Sequence, residues 1–106
     1  MALDLAPGAG PVDASGFSGL ALEVTGNGEE YGVHLRTADV ARPWQSYRAT
    51  FIASPDWRRV ELPFAGFEPH RIEAPFDRAR LRRIGLVAIG REFHADLALG
   101  RLEFVA

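Results

Sequence analysis

The chain has 106 residues, 47% hydrophobic and 25% charged, which suits one folded domain spanning 1–106 and excludes both a disordered chain and a two-domain protein. Twelve basic against fourteen acidic residues give a formal net charge of -2, which argues against general nucleic-acid binding, since that usually needs a basic face. The absence of cysteine excludes disulfides and thiolate metal sites.

All twelve basic side chains are arginine, a bias that GC-rich coding produces by itself and that also suits forked contacts to carboxylates and other anions. From the start of the chain, residues 2–5 read as a strand, followed by a Pro/Gly/Ala-rich stretch over 6–11. Residues 1–10 have neither the basic region nor the long apolar run of a signal peptide. No segment approaches the roughly 20 apolar residues of a membrane helix. A cytoplasmic location without membrane insertion is therefore expected.

Strand patterns follow. Leu20, Leu22 and Val24 alternate with Ala21, Glu23 and Thr25, the period of a half-buried strand. Gly26-Asn27-Gly28 is the strongest short turn signal in the chain, and Tyr31, Val33 and Leu35 then alternate with His34 and Arg36. The spacing predicts a β-hairpin with one apolar and one polar side. A loop over 37–43 leads to a strand over 44–53, with Tyr47, Ala49 and Phe51 on one face and Ser46, Arg48 and Thr50 on the other. After the Ser54-Pro55-Asp56 turn, 57–62 forms a short strand that Pro63 ends.

Residues 64–75 read as irregular, and Asp77 is placed to cap a helical turn running to Arg82. The stretch 84–89 is apolar on both faces, which predicts a central strand covered on both sides. Residues 97–105 form the last strand, with Gly100 marking a bulge. Short strands joined by turns, with hardly any helix, predict an antiparallel β-sandwich or barrel.

Few constellations carry chemistry. His34, His70 and His94 lack the spacing of metal pairs, so neither a metal nor a cofactor is expected. Gly16-Phe17-Ser18-Gly19 departs from the nucleophile-elbow spacing and leads into a strand rather than out of one, so Ser15 and Ser18 read as turn residues. Gly26-Asn27-Gly28 lacks the following helix of a phosphate loop. Glu29 and Glu30, adjacent on a strand, face opposite sides and cannot converge on one bond. No catalytic residue is assigned, and the chain is not expected to be an enzyme.

The more informative feature is a polar stripe. Glu23, His34, Arg36, Arg48 and Thr50 all lie opposite the apolar sides of three strands. If those strands are neighbours, the five residues make one polar surface. It reads either as a solvent face with cross-strand ion pairs or as a candidate binding surface. Trp44, after Arg42-Pro43, is the aromatic best placed to join it as a stacking or anchoring group, whereas Trp57 is expected to cap the end of the sandwich.

The order of these blocks resembles a known family. Gly19-Leu20-Ala21-Leu22-Glu23-Val24, Gly26-Asn27-Gly28-Glu29-Glu30-Tyr31, Leu35-Arg36-Thr37, Tyr47-Arg48-Ala49-Thr50-Phe51, Trp57 to Phe64 with Phe67 and Pro69, and Ile84-Gly85-Leu86 with the closing strand are together similar to the complex I intermediate-associated protein 30 family over residues 15–105. The resemblance implies an all-β fold, a galactose-binding-like jelly roll of two antiparallel sheets. It also implies an assembly-factor-like, chaperone-type protein-interaction module of bacterial origin, with respiratory-complex subunits as partners. The family's domains begin some tens of residues earlier, so the resemblance implies that their N-terminal part is lacking and that an open sheet edge invites a homodimer. A carbohydrate-binding module, a use to which the same fold is put elsewhere, is the alternative function, and an enzyme is the third.

Overall fold

Alternating side chains decide the fold, since every strand with one apolar face must bury it against another layer. The computed structural model describes residues 2–4, 12–42, 44–88 and 98–106, with 2–4 and 98 as backbone alone. The strands are β1 (Ala2–Asp4), β2 (Gly19–Thr25), β3 (Glu30–Thr37), β4 (Ser46–Ile52), β5 (Arg58–Pro63), β6 (Glu68–His70), β7 (Leu81–Ala88) and β8 (Ala98–Val105). They pair antiparallel into a five-stranded sheet, in the order β1-β7-β3-β4-β6, and a three-stranded sheet, β5-β2-β8. Two antiparallel sheets packed as a sandwich are what the family resemblance implies, and they decide between the sandwich and the barrel that the strand patterns leave open.

The core lies between the sheets. Leu20, Leu22 and Val24 of β2 bury against Tyr31, Val33, Leu35, Tyr47, Phe51, Ile84 and Leu86 of the facing sheet. Full burial of side chains of this size stabilises the fold by about 1.5–3 kcal/mol each. At one end, Phe76 joins Tyr47 and Phe64 with ring centroids 5.1 and 5.4 Å apart. The Tyr47 hydroxyl donates to the carbonyl of Ala74 at 2.6 Å and ties the 71–77 segment to the core.

The predicted hairpin is not one. β2 and β3 belong to different sheets, and Gly26-Asn27-Gly28 carries the chain across the sandwich between them. Gly28, at φ +79°, is the left-handed residue the turn requires. Both strands point their apolar faces inward, as the alternation says, but from opposite layers. The turn at 53–57 makes the same crossing from β4 to β5, and the two crossings are laced together. Gly26 N donates to Ser54 O at 2.8 Å, Gly28 N to Ala53 O at 2.7 Å, and Thr25 Oγ1 to Pro55 O at 2.7 Å.

Other expectations meet mixed outcomes. Gly100 is the bulge residue: Glu23 faces Arg101 while Val24 faces Leu99. Asp77 caps a single 3₁₀ turn, Arg78–Arg80, by accepting from Ala79 N at 3.0 Å, and the turn ends before Arg82. β7 is central, between β1 and β3, yet the stretch from Ile84 is not covered on both sides, because Val87 is only half-buried and Ala88 exposed beside buried Ile84 and Leu86. Trp57 does not cap the sandwich. It is 59% exposed and lies outside the layers over Gly100, where an added Cβ would come within 2.9 Å of the ring. Leu5, Pro43, Ile89, His94 and Leu97 fall outside the described residues.

Candidate functional site

Strand register arranges the outward side chains of the five-stranded sheet as a lattice. In one row His34 of β3 stands opposite Arg48 of β4, which stands opposite Glu68 of β6. In the adjacent row Arg83 of β7 stands opposite Arg36 of β3, and Ser46 of β4 opposite His70 of β6. Thr50 lies one step further along β4, opposite Gly32. Four residues of the predicted stripe, His34, Arg36, Arg48 and Thr50, therefore share one face.

Glu23 does not join them. It lies on the outer side of the three-stranded sheet, between Arg59 and Arg101. The reason is the crossing at Gly26–Gly28: polar faces of strands in opposite layers point away from each other. On Glu23's face charges are matched. Arg59 pairs with Glu61 at 3.2 Å and with Glu103, which also takes Arg101 at 3.2 Å. The bonds to Glu103 and Glu61 hold the Arg59 guanidinium above its ordinary pKa, and the bond to Arg59 holds the Glu103 carboxyl below its own. Such exposed pairs are individually weak.

The face carrying His34 and Arg48 has the opposite character. Arg48 donates through Nε to Ser46 Oγ at 2.8 Å, and Ser46, only 3% exposed, is a fixed acceptor that orients the guanidinium. Burial, then Arg48, then His70 hold the His34 imidazole below its usual pKa. Burial, Arg48 and Arg71 do the same to His70. Both shifts favour the neutral ring, next to a permanent cation.

Trp44, 55% exposed, belongs to the loop entering β4, on the rim of this face. Arg36 Nη2 donates to Arg42 O at 3.1 Å. Gln45 accepts from Ala41 N and Arg42 N, each at 3.0 Å, and donates to Arg71 O at 3.1 Å. These bonds fasten the loop to the sheet end. Arg71, with φ +55°, is the one described non-glycine residue in the left-handed region, and it turns the chain out of β6 next to His70.

Grooves open at the sandwich margins, two of them lined by described residues. One, of about 390 Å³, runs between Arg48, Thr50 and Glu68 on one side and Leu62, Pro63 and Gly66 on the other. The second, of about 530 Å³, is lined by Phe64, Phe67, Phe76, Ser15, Asp77 and Arg78. Among the described residues no three His, Asp or Glu side chains gather as metal ligands. Among the same residues no helix is long and apolar enough to cross a membrane.

Sequence reasoning missed Glu68 and His70 as members of this face. They belong to a three-residue edge strand with Pro69 at its centre, too short to show a period. Only the pairing with β4 brings them to Arg48. A family model, Complex I intermediate-associated protein 30 (CIA30), matches residues 3–99. No match was found among curated proteins.

Proposed function

We propose, from the premise that the chain belongs to the complex I intermediate-associated protein 30 family, that it is a non-catalytic interaction module that holds subunits of a respiratory complex during assembly in the cytoplasm. The family match, running over nearly the whole chain, carries this reading. The broad polar face of the five-stranded sheet supports it, since one surface spanning several strands suits a macromolecular partner better than a small substrate. The test is capture of NADH:ubiquinone oxidoreductase subunits on the immobilised chain, with assembly of the complex followed on native gels after deletion of the gene. Unchanged assembly together with no captured subunit refutes the proposal.

A carbohydrate-binding role is the second reading, favoured by exposed Trp44 at the rim of a polar sheet face. It predicts a hit in a glycan array that Trp44→Ala abolishes. Self-association goes with either reading. β6 pairs with Ser46, Tyr47 and Arg48 of β4, and among the described residues the far half of β4 has no strand on that side, an edge that a second copy can use. Sedimentation at high concentration showing only monomer refutes the homodimer.

A further inference from the structure

We propose that Arg48, His34 and His70 form an oxyanion site on the outer face of the five-stranded sheet, which takes the carboxylates of an acidic, extended segment of a partner protein. This rests on the interaction-module reading and specifies its partner chemistry.

The first observation is a contrast between the two faces of one small protein. On the three-stranded sheet Arg59 and Arg101 are matched to Glu61 and Glu103. On the other face Arg48 takes part in no ion pair with any described residue, although Glu68 stands opposite it in the register. Arg48 is also half-buried. A partly desolvated guanidinium without a carboxylate carries a cost that an incoming anion relieves.

The second observation is preorganisation. Ser46 occupies Nε, so the terminal nitrogens keep the fork that binds a carboxylate through two parallel bonds. His34 on β3 stands directly opposite Arg48, and His70 on β6 lies diagonal to it, opposite Ser46. Arg36 and Arg83 stand opposite each other in the adjacent row, and Arg71 follows His70. The described acids in the lattice on β3, β4 and β6 are Glu68, opposite Arg48, and Glu30, four residues before His34 at the far end of β3.

The spacing points to an extended peptide. Alternate side chains of an extended segment lie about 6.8 Å apart. That is the step from His34 to Arg36 along β3 and from Ser46 to Arg48 along β4. Carboxylates at alternate positions therefore match the two rows in turn.

Proton uptake accompanies binding. In the free protein burial and the neighbouring Arg48 favour the neutral imidazoles, whereas a carboxylate beside them favours their charged form. The complex holds more protons than its parts, so affinity rises as pH falls through the imidazole range near 6.5.

The test uses the full chain and a labelled peptide of alternating Glu and Ser, followed by fluorescence anisotropy at low salt at pH 7.5, 6.5 and 5.5. Binding is expected to be about tenfold tighter at pH 5.5 than at 7.5, one unit of imidazole coupling. Arg48→Gln is expected to weaken it at least tenfold, while His34→Gln and His70→Gln flatten the pH dependence. Arg59→Gln, on the opposite face, leaves binding unchanged. Circular dichroism and melting confirm that each variant folds, and Arg48→Lys, which keeps the charge without the fork, recovers only part of the affinity.

Equal binding of the Gln-for-Glu peptide, equal loss in Arg59→Gln, or wild-type binding by Arg48→Gln overturns the proposal. So does Arg48-dependent binding of inorganic phosphate or an acidic oligosaccharide with no binding of the peptide. Capture of NADH:ubiquinone oxidoreductase subunits run beside it separates the two claims. Capture by both wild type and Arg48→Gln refutes this site and spares the module reading. Peptide binding without capture does the reverse.

Discussion

Replacing Tyr47 by Phe removes one oxygen atom and leaves the rest of the core in place. The ring is 0% exposed and keeps its contact with Phe76, 5.1 Å away, so neither a cavity nor a lost apolar area enters. What disappears is the 2.6 Å bond to the Ala74 carbonyl, with Pro75 O a second acceptor at 3.3 Å. A net hydrogen bond contributes about 1 kcal/mol, and an acceptor left partly dry adds to that, giving an expected loss of about 1.5 kcal/mol. Unfolding entropy of about 2.1 cal/mol/K per residue amounts to roughly 0.22 kcal/mol/K for a chain of this length, so Tm should fall by about 7 °C. Urea denaturation with an unchanged m-value gives the free energy. Hydrogen exchange should speed up most in 71–77, the segment the hydroxyl tethers. A loss under about 0.5 kcal/mol, or no local change in exchange, refutes the claim that this bond fastens the segment to the core.

The remaining predictions concern backbone packing and pH. Gly19→Ala places a Cβ 2.5 Å from Leu62 O and 2.8 Å from Pro63 Cα; these are backbone atoms of the paired strand, so a loss of about 1–3 kcal/mol is expected by denaturation. His34 has a lowered pKa in the folded chain, so the unfolded chain takes up a proton first as pH falls. Stability is then fully present above about 6.5 and declines as pH drops from there toward the folded pKa. Denaturation at pH 7.5, 6.5 and 5.5 should show this decline, and His34→Gln should reduce it; an unchanged slope in that variant refutes the assignment to His34.

The residues that face the core were legible in the sequence, because period-two alternation is a local property. Leu20, Leu22 and Val24 and Tyr31, Val33 and Leu35 are all buried as the pattern requires. Local chemistry also marked the Asp77 cap and the Gly100 bulge. Partnership between strands was not legible. Asn27-Gly28 permits a tight turn but does not say whether the chain folds back within a sheet or crosses to the other, since either outcome buries the same side chains. That ambiguity placed Glu23 with His34 and Arg48, from which it is separated by the whole sandwich. His70 was hidden for a different reason: a three-residue strand carries no period, and its position depends on Ser46 and Arg48 of β4.

The two laced crossings also impose an order in time. β3 and β4 are neighbours along the chain and in the sheet, so they can pair as soon as both exist. β2 has no such neighbour. One of its edges waits for β5, and the other waits for β8, where Phe104 stands opposite Leu20. During synthesis β2 is made well before β8, so one row of its amide and carbonyl groups has no partner until β8 has followed it. Late closure of this kind slows folding and leaves a strand edge open to other chains in the interval. The newborn chain, whose family is concerned with assembling other proteins, itself passes through a stage in which an unfinished edge must be kept from pairing wrongly.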